Sequence, residues 1–210
     1  MKWMHRVRHN IFSVSVERND LRKALDEWIY EGNMYDIEIA EEVCELCDHS
    51  NIRYQFEIIN IHNKNKLLIG SECINKFKIS VIDKTGNKLS NEEAKKKVNQ
   101  DRNKLVTDAK IRGVINSLVQ LSKVDENFEI DSFIKYFKEN GAFTPKQLFT
   151  LIWRLGKYKV EFKKSNFKLS LKRSNNKQQL FEMEDWKVKT IWECLSSSQK
   201  EIYNSKKRVY

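Results

Sequence analysis

Cys44 and Cys47 form a C-x2-C pair, and Cys73 follows them in Gly70-Ser71-Glu72-Cys73. A spacing of two residues lets one tight backbone turn aim two thiolates at a single tetrahedral ion. Cys73 falls at the start of an expected short helix, whose positive end favours an anionic sulfur. The chain reads as cytosolic, so a disulfide framework is not expected. Zn2+ in a closed structural site is the cofactor these residues suggest, with buried free thiols packing as small hydrophobes as the plain alternative. The fourth ligand is open. His49 follows Cys47 by two residues and a neutral imidazole suits zinc, so it is the first candidate. Asp48, His5 or His9 of the N-terminal H-x3-H, and Cys194 are the others. His62 is set aside because it lies at an expected hairpin tip, roughly 20 Å from Cys73 at about 3.3 Å per strand residue. Cys194, beside Ile191, Trp192 and Leu195, reads as core. A site with only three protein ligands would leave room for bound water and for chemistry, with Glu72 and Glu45 as the nearest carboxylates.

The elements that would position these residues follow from periodicity. Residues 11–16 alternate apolar and polar and predict a short strand. Asn19 or Asp20 caps an expected helix running to about Glu31, with Leu21, Leu25, Trp28 and Ile29 on one face and Gly32 as its stop. Residues 52–61 and 66–69 predict two strands joined at His62-Asn63-Lys64-Asn65, then a short helix over 72–78. Knuckle, hairpin and a ligand at a helix start make the layout of a treble-clef zinc finger. Thr85-Gly86-Asn87 marks a turn, and Ser90 with Glu93 forms a capping box opening a long helix that Gly113 is expected to bend. A helix over 131–139, the Asn140-Gly141 turn and a helix capped by Thr144 with Pro145 at its first position come next. Alternating residues around Tyr158–Phe162 and Phe167–Leu171 predict a second hairpin. Helices near 176–194 and 197–205 close the chain, with Lys206-Lys207-Arg208 as a frayed tail.

Cys44-x2-Cys47, Ile52-Arg53-Tyr54-x-Phe56-Glu57-Ile58 and Ile69-Gly70-Ser71-x-Cys73 together resemble a zinc-hairpin (treble-clef-like) segment of phage and bacterial proteins. The resemblance implies a Gly-His pair after the second cysteine, matched here at His49 but not at Asp48, and in some relatives an extra cysteine at the position of Ser71. Gly141-Ala-Phe-Thr-Pro-Lys-Gln147 resembles a helix-start phrase of such proteins. The likeness covers about a third of the chain and carries no settled activity.

Charge divides the chain. Residues 1–50 hold 6 Lys+Arg and 11 Asp+Glu, whereas the rest of the 210 residues brings the total to +10. Residues 154–178 hold nine basic residues and one acid, Glu161. Lys146, Gln147, Thr150 and Arg154 would line one polar stripe on the preceding helix, and Lys163, Lys164, Lys168, Lys172 and Arg173 would make the hairpin cationic. Helix, turn, helix and basic hairpin is the order of a winged-helix binder, its stripe in the major groove and its wing on phosphates. Solvated lysines protecting a sheet edge are the plain alternative.

No P-loop, G-x-G-x-x-G, H-E-x-x-H or G-x-S-x-G is present, and no catalytic residue is assigned. Glu38-Glu41-Glu42 and Glu182-Glu184-Asp185 read as solvated helix faces rather than nuclease metal sites. The longest apolar runs fall far short of the roughly 18 residues of a spanning helix, so no membrane partner is expected. The expected fold is α+β, with an N-terminal zinc-hairpin region over 1–89. A mainly helical domain over 90–210 is expected to carry a basic, winged-helix-like β-hairpin at about 158–172. The leading functional expectation is a non-enzymatic, cytoplasmic, zinc-stabilised nucleic-acid-binding accessory or regulatory protein, phage-associated, with DNA favoured over RNA. An inhibitor or modulator docking on a host enzyme, for example an anti-defence protein, is the second, and a metal-dependent nuclease the third.

Overall fold

The computed structural model describes residues 2–207, a mixed α+β chain in two compact units, Met1–Ala109 and Lys110–Tyr210. The sequence suggests a boundary at the Ser90 cap. The units instead divide within a helix, because Val98 and Leu105 on its first half belong to the core of the first unit. No helix of the described residues is long and apolar enough to cross a membrane.

The first unit opens with α1 (Lys2–Val14), where a strand was expected over 11–16. Val7 and Ile11, four residues apart, are both fully buried, and Ser15 N–H continues the helical ladder onto Ile11 C=O. The helical period over the longer run overrides the short alternation. α2 (Leu21–Asp26) is capped by Asp20, whose carboxylate accepts from the Arg22 and Lys23 N–H groups. It ends well before Glu31, and β1 (Trp28–Asp36) begins instead. Trp28-Ile29-Tyr30 is an aromatic and β-branched run that suits a half-buried pleat better than a helix, and Trp28 and Tyr30 become fully buried there.

β1 pairs antiparallel with β2 (Tyr54–Asn60), which pairs antiparallel with β3 (Lys66–Ile69). After α3 (Ser71–Phe77), β4 (Ser80–Val81) adds parallel to β1, giving the order β3-β2-β1-β4. The register of β1 slips between Tyr30 and Met34 at a bulge around Gly32, whose φ of +105° excludes most side chains. α4 (Asn91–Val124) starts at the Ser90/Glu93 capping box and supplies Asp101, which accepts from the buried Tyr30 hydroxyl at 2.9 Å and pairs with Lys97. Gly113 does not break the helix. A Cβ there would lie 3.0 Å from Asn166 Nδ2, so glycine serves a close approach rather than a bend.

In the second unit α5 (Asp131–Asn140) ends on Gly141 in the left-handed region, and α6 (Pro145–Lys157) begins with a complete Thr144/Gln147 capping box. α7 (Ser174–Glu182), α8 (Asp185–Ile191), a 3-10 turn over Trp192–Cys194 and α9 (Ser197–Lys207) follow. The single helix expected over 176–194 is thus split at Met183-Glu184, which adopt extended backbone. The helix α9 includes Lys206 and Lys207 of the expected frayed tail, and Arg208 lies outside the described residues.

The hairpin expected at about 158–172 does not form. The segment is irregular, with a 3-10 turn over Lys164–Asn166 and a positive φ at Lys159. Its backbone pairs elsewhere: Phe143 N–H donates to Lys168 C=O at 2.8 Å, and Ser170 N–H donates to Phe143 C=O at 2.8 Å. Phe167, Leu169 and Leu171 are buried as the alternation implies, but the anchor is residue 143 and not a second strand. The winged-helix-like reading therefore has no β wing.

Candidate metal centre

The three cysteines come from two local structures. A knuckle is closed by antiparallel bridging of Glu42 and Ile52, with Cys44 N–H donating to His49 C=O and Asp48 N–H to Cys44 C=O. Asp48 and Asn51 take positive φ values of 56° and 63°, a conformation that Asp and Asn tolerate better than most residues. The knuckle is pinned to β3 by Glu45: its N–H donates to Leu68 C=O and its carboxylate accepts from Leu68 N–H. Leu46, fully buried, fastens the turn to the core. The strand β3 leads through Gly70 into α3, and Cys73 in its first turn swings towards the knuckle.

Cys73 Sγ lies 3.6 Å from Cys44 Sγ and 3.4 Å from Cys47 Sγ, and the three sulfurs are all within 4.8 Å of one another. A tetrahedral zinc with bonds of about 2.3 Å needs sulfurs about 3.8 Å apart, so an ion fits among them with small adjustment. The sharing of Cys73's proton, with Gly70 N–H adding a bond at 3.5 Å, holds the Cys44 thiol down to about 5 against the effect of burial. That hydrogen bond, together with burial, pushes Cys73 up, and burial also raises Cys47. The protein alone therefore favours one thiolate, and a bound divalent cation would supply the charge needed to ionise all three. The donor set fits zinc, which Cys44, Cys47 and Cys73 would hold.

His49 does not join them. Its imidazole is exposed and lies outside the cluster of ligand atoms, although its backbone N–H reaches the Cys47 sulfur. The carboxylate of Asp48 is instead held by Asn10 Nδ2 at 2.8 Å. His5 and His9 are exposed on α1, His62 lines a separate cleft beside Glu27, and Cys194 is buried in the other unit, its thiol raised by burial to about 11.

The cysteines border a cleft of about 730 Å³. Trp3 and Arg6 from α1 and Arg102 from α4 join Arg53, Tyr54 and Lys76 around it. Lys76 Nζ sits 3.6 Å above the Trp3 ring, and Arg53 makes a two-bond ion pair with Asp36 at 2.6 and 3.0 Å. Sequence reasoning missed this wall. Trp3 and Arg6 approach the cysteines only through the packing of α1, which left no local signal.

The expected nucleic-acid residues divide in the structure. Arg154 is paired with the buried Asp125 and lies 4.1 Å from the centre of the Phe128 ring. The side chain of Gln147 is spent on the cap, and the Thr150 hydroxyl donates to Lys146 C=O at 3.0 Å. Of the supposed reading stripe only Lys146 is exposed. Lys164 pairs with Glu193 at 3.3 Å. Lys163, Lys168, Lys172 and Arg173 are exposed, as are Lys157, Lys159 and Lys177, and none pairs with an acid among the described residues.

No protein-family model matches the chain, and no curated protein and no solved structure matches it.

Proposed function

We propose that the chain is a non-enzymatic, zinc-stabilised nucleic-acid-binding protein with an accessory or regulatory role, acting in the cytoplasm. The observation that carries this reading is the seven exposed basic side chains between Lys157 and Lys177 that pair with no acid among the described residues, on a segment anchored by buried Phe167, Leu169 and Leu171. Buried anchors fix the backbone while the lysines stay in water, which suits phosphate contact in a fixed register. Lysines at phosphates release counterions, so binding depends steeply on salt and weakly on sequence. The stripe on α6 is engaged internally, so base-specific reading by Gln147, Thr150 and Arg154 forms no part of the proposal. Zinc on the three cysteines, in a treble-clef-like arrangement of knuckle, hairpin and helix, ties down the front of the first unit. DNA is favoured over RNA, and a phage association rests on the resemblance of the cysteine segment alone.

Fluorescence anisotropy with labelled single-stranded and duplex DNA and RNA at about 50 and 200 mM salt tests the reading. If all seven exposed cations reach phosphates, log K falls against log salt with a slope of up to about −6. Combining Lys163→Glu, Lys168→Glu and Lys172→Glu should flatten that slope. Salt-independent affinity, or no binding to any of the four probes, would reject it and leave docking on a protein as the better account. Elemental analysis should find one zinc per chain and its loss in Cys44→Ser.

A further inference from the structure

Cys44, Cys47 and Cys73 converge, but no fourth His, Cys, Asp or Glu among the described residues brings a ligand atom into the cluster. The two nearest in sequence line the same cleft without bringing a ligand atom into the cluster: the His49 side chain is exposed, and the Asp48 carboxylate accepts from Asn10 Nδ2. The side on which a fourth ligand would stand is not packed protein. All three cysteines line the cleft of about 730 Å³, a volume in the range of small-molecule sites. Cys47 is only half-buried there.

We propose that the metal held by Cys44, Cys47 and Cys73 keeps its fourth coordination position open to this cleft, and that the position takes a small thiol from solution. The inference rests on the zinc reading above and deepens it. Three thiolates make a divalent ion soft and leave the centre at −1, so it is a weak Lewis acid towards water and matches a sulfur donor better. A thiol entering as thiolate gives its proton to solvent and adds a further negative charge. Arg6, Lys76 and Arg102 stand around the cleft to offset that charge, whereas Arg53 is committed to Asp36. Among the described residues Asp48 and Glu72 are the only acids on the cleft wall.

Exchanging the bound metal of the full-length protein for Co2+ makes the coordination visible. Three sulfur ligands give a sulfur-to-cobalt charge-transfer band, and addition of 2-mercaptoethanol or cysteine should raise its intensity by about one third, as a fourth sulfur joins three. His49→Ala and Asp48→Ala should leave the starting spectrum and the response unchanged. Combining Arg6→Ala with Arg102→Ala should raise the thiol concentration for half-saturation roughly fivefold, since each exposed cation contributes modestly. A band that ignores both thiols, or a starting spectrum altered by His49→Ala or Asp48→Ala, overturns the open position. An unchanged half-saturation in the double-arginine variant overturns the part given to the cations. Failure of Co2+ to bind at all is seen before any thiol is added, and removes the zinc reading itself.

Discussion

Replacing Arg154 by Leu separates two roles for one residue. On the sequence Arg154 completes a polar stripe suited to nucleic acid; in the structure it binds Asp125 and covers Phe128. Asp125 is 7 % exposed, and Arg154 is the partner its carboxylate has, so truncation leaves a nearly buried charge unpaired. Removing one member of a fully buried pair costs about 3–5 kcal/mol. The Arg154 side chain is 30 % exposed, which lets water reach the carboxylate and reduces that figure to about 2 kcal/mol. The lost contact with Phe128 adds about 0.5–1 kcal/mol. The Nε of Arg154, buried without a hydrogen-bond partner, offsets part of the gain, so the net loss is about 2 kcal/mol. For a chain of 210 residues that lowers Tm by about 4–8 °C. Adding Asp125→Asn to Arg154→Leu should recover about half, because the neutral amide no longer needs a cation. Urea unfolding of both variants and of the single Asp125→Asn completes the cycle, with nucleic-acid affinity measured alongside. An Arg154→Leu protein as stable as the parent but binding tenfold more weakly would refute the structural role and restore the stripe.

Two further expectations follow from local geometry. Thr144→Ala removes the acceptor for Gln147 N–H in the α6 capping box and should cost about 1 kcal/mol in urea unfolding. An unchanged midpoint would mean that Pro145 and Gln147 start the helix without the hydroxyl. Glu27 is the second case. Burial pushes its carboxyl up, but Asn60 Nδ2 at 2.6 Å and the Val16 and Glu17 N–H groups outweigh this and hold it below the ordinary value of 4.5. A carboxylate depressed in the folded state stabilises above the unfolded value and stops doing so as pH falls through the folded one. The difference in stability between about pH 6 and about pH 3 should therefore shrink in Glu27→Gln. Parallel loss of stability in variant and parent across that interval would place the acid sensitivity elsewhere.

What could be read from the chain was what neighbours in sequence decide. Asp20, Ser90 and Thr144 cap the helices their spacing announced, because a cap is a bond between a side chain and a backbone group two or three residues on. The hairpin β2–β3 and the approach of Cys44, Cys47 and Cys73 were legible for a related reason: a tight knuckle, a short turn and a helix start leave few ways to arrange what lies between. The failures share the opposite cause. The alternation over 167–171 reported correctly which side chains go inside, yet not what the backbone would pair with, because burial of one face has the same period whether the partner is a second strand or the single residue Phe143. Gly113 looked like a helix break, but its use is defined by Asn166, more than fifty residues away in sequence. Arg154 is the sharpest case. A helix face of donors looks identical on paper whether it faces water or an acid, and Asp125, which decides the matter, lies 29 residues earlier with the whole of α5 between. The same reasoning governs the metal centre: three ligands supplied by local structure can be found by spacing, whereas whether a fourth among the described residues joins them depends on packing between elements distant in sequence. One such contact is the hydrogen bond from Asn10 on α1 to the Asp48 carboxylate of the knuckle, which no spacing encodes.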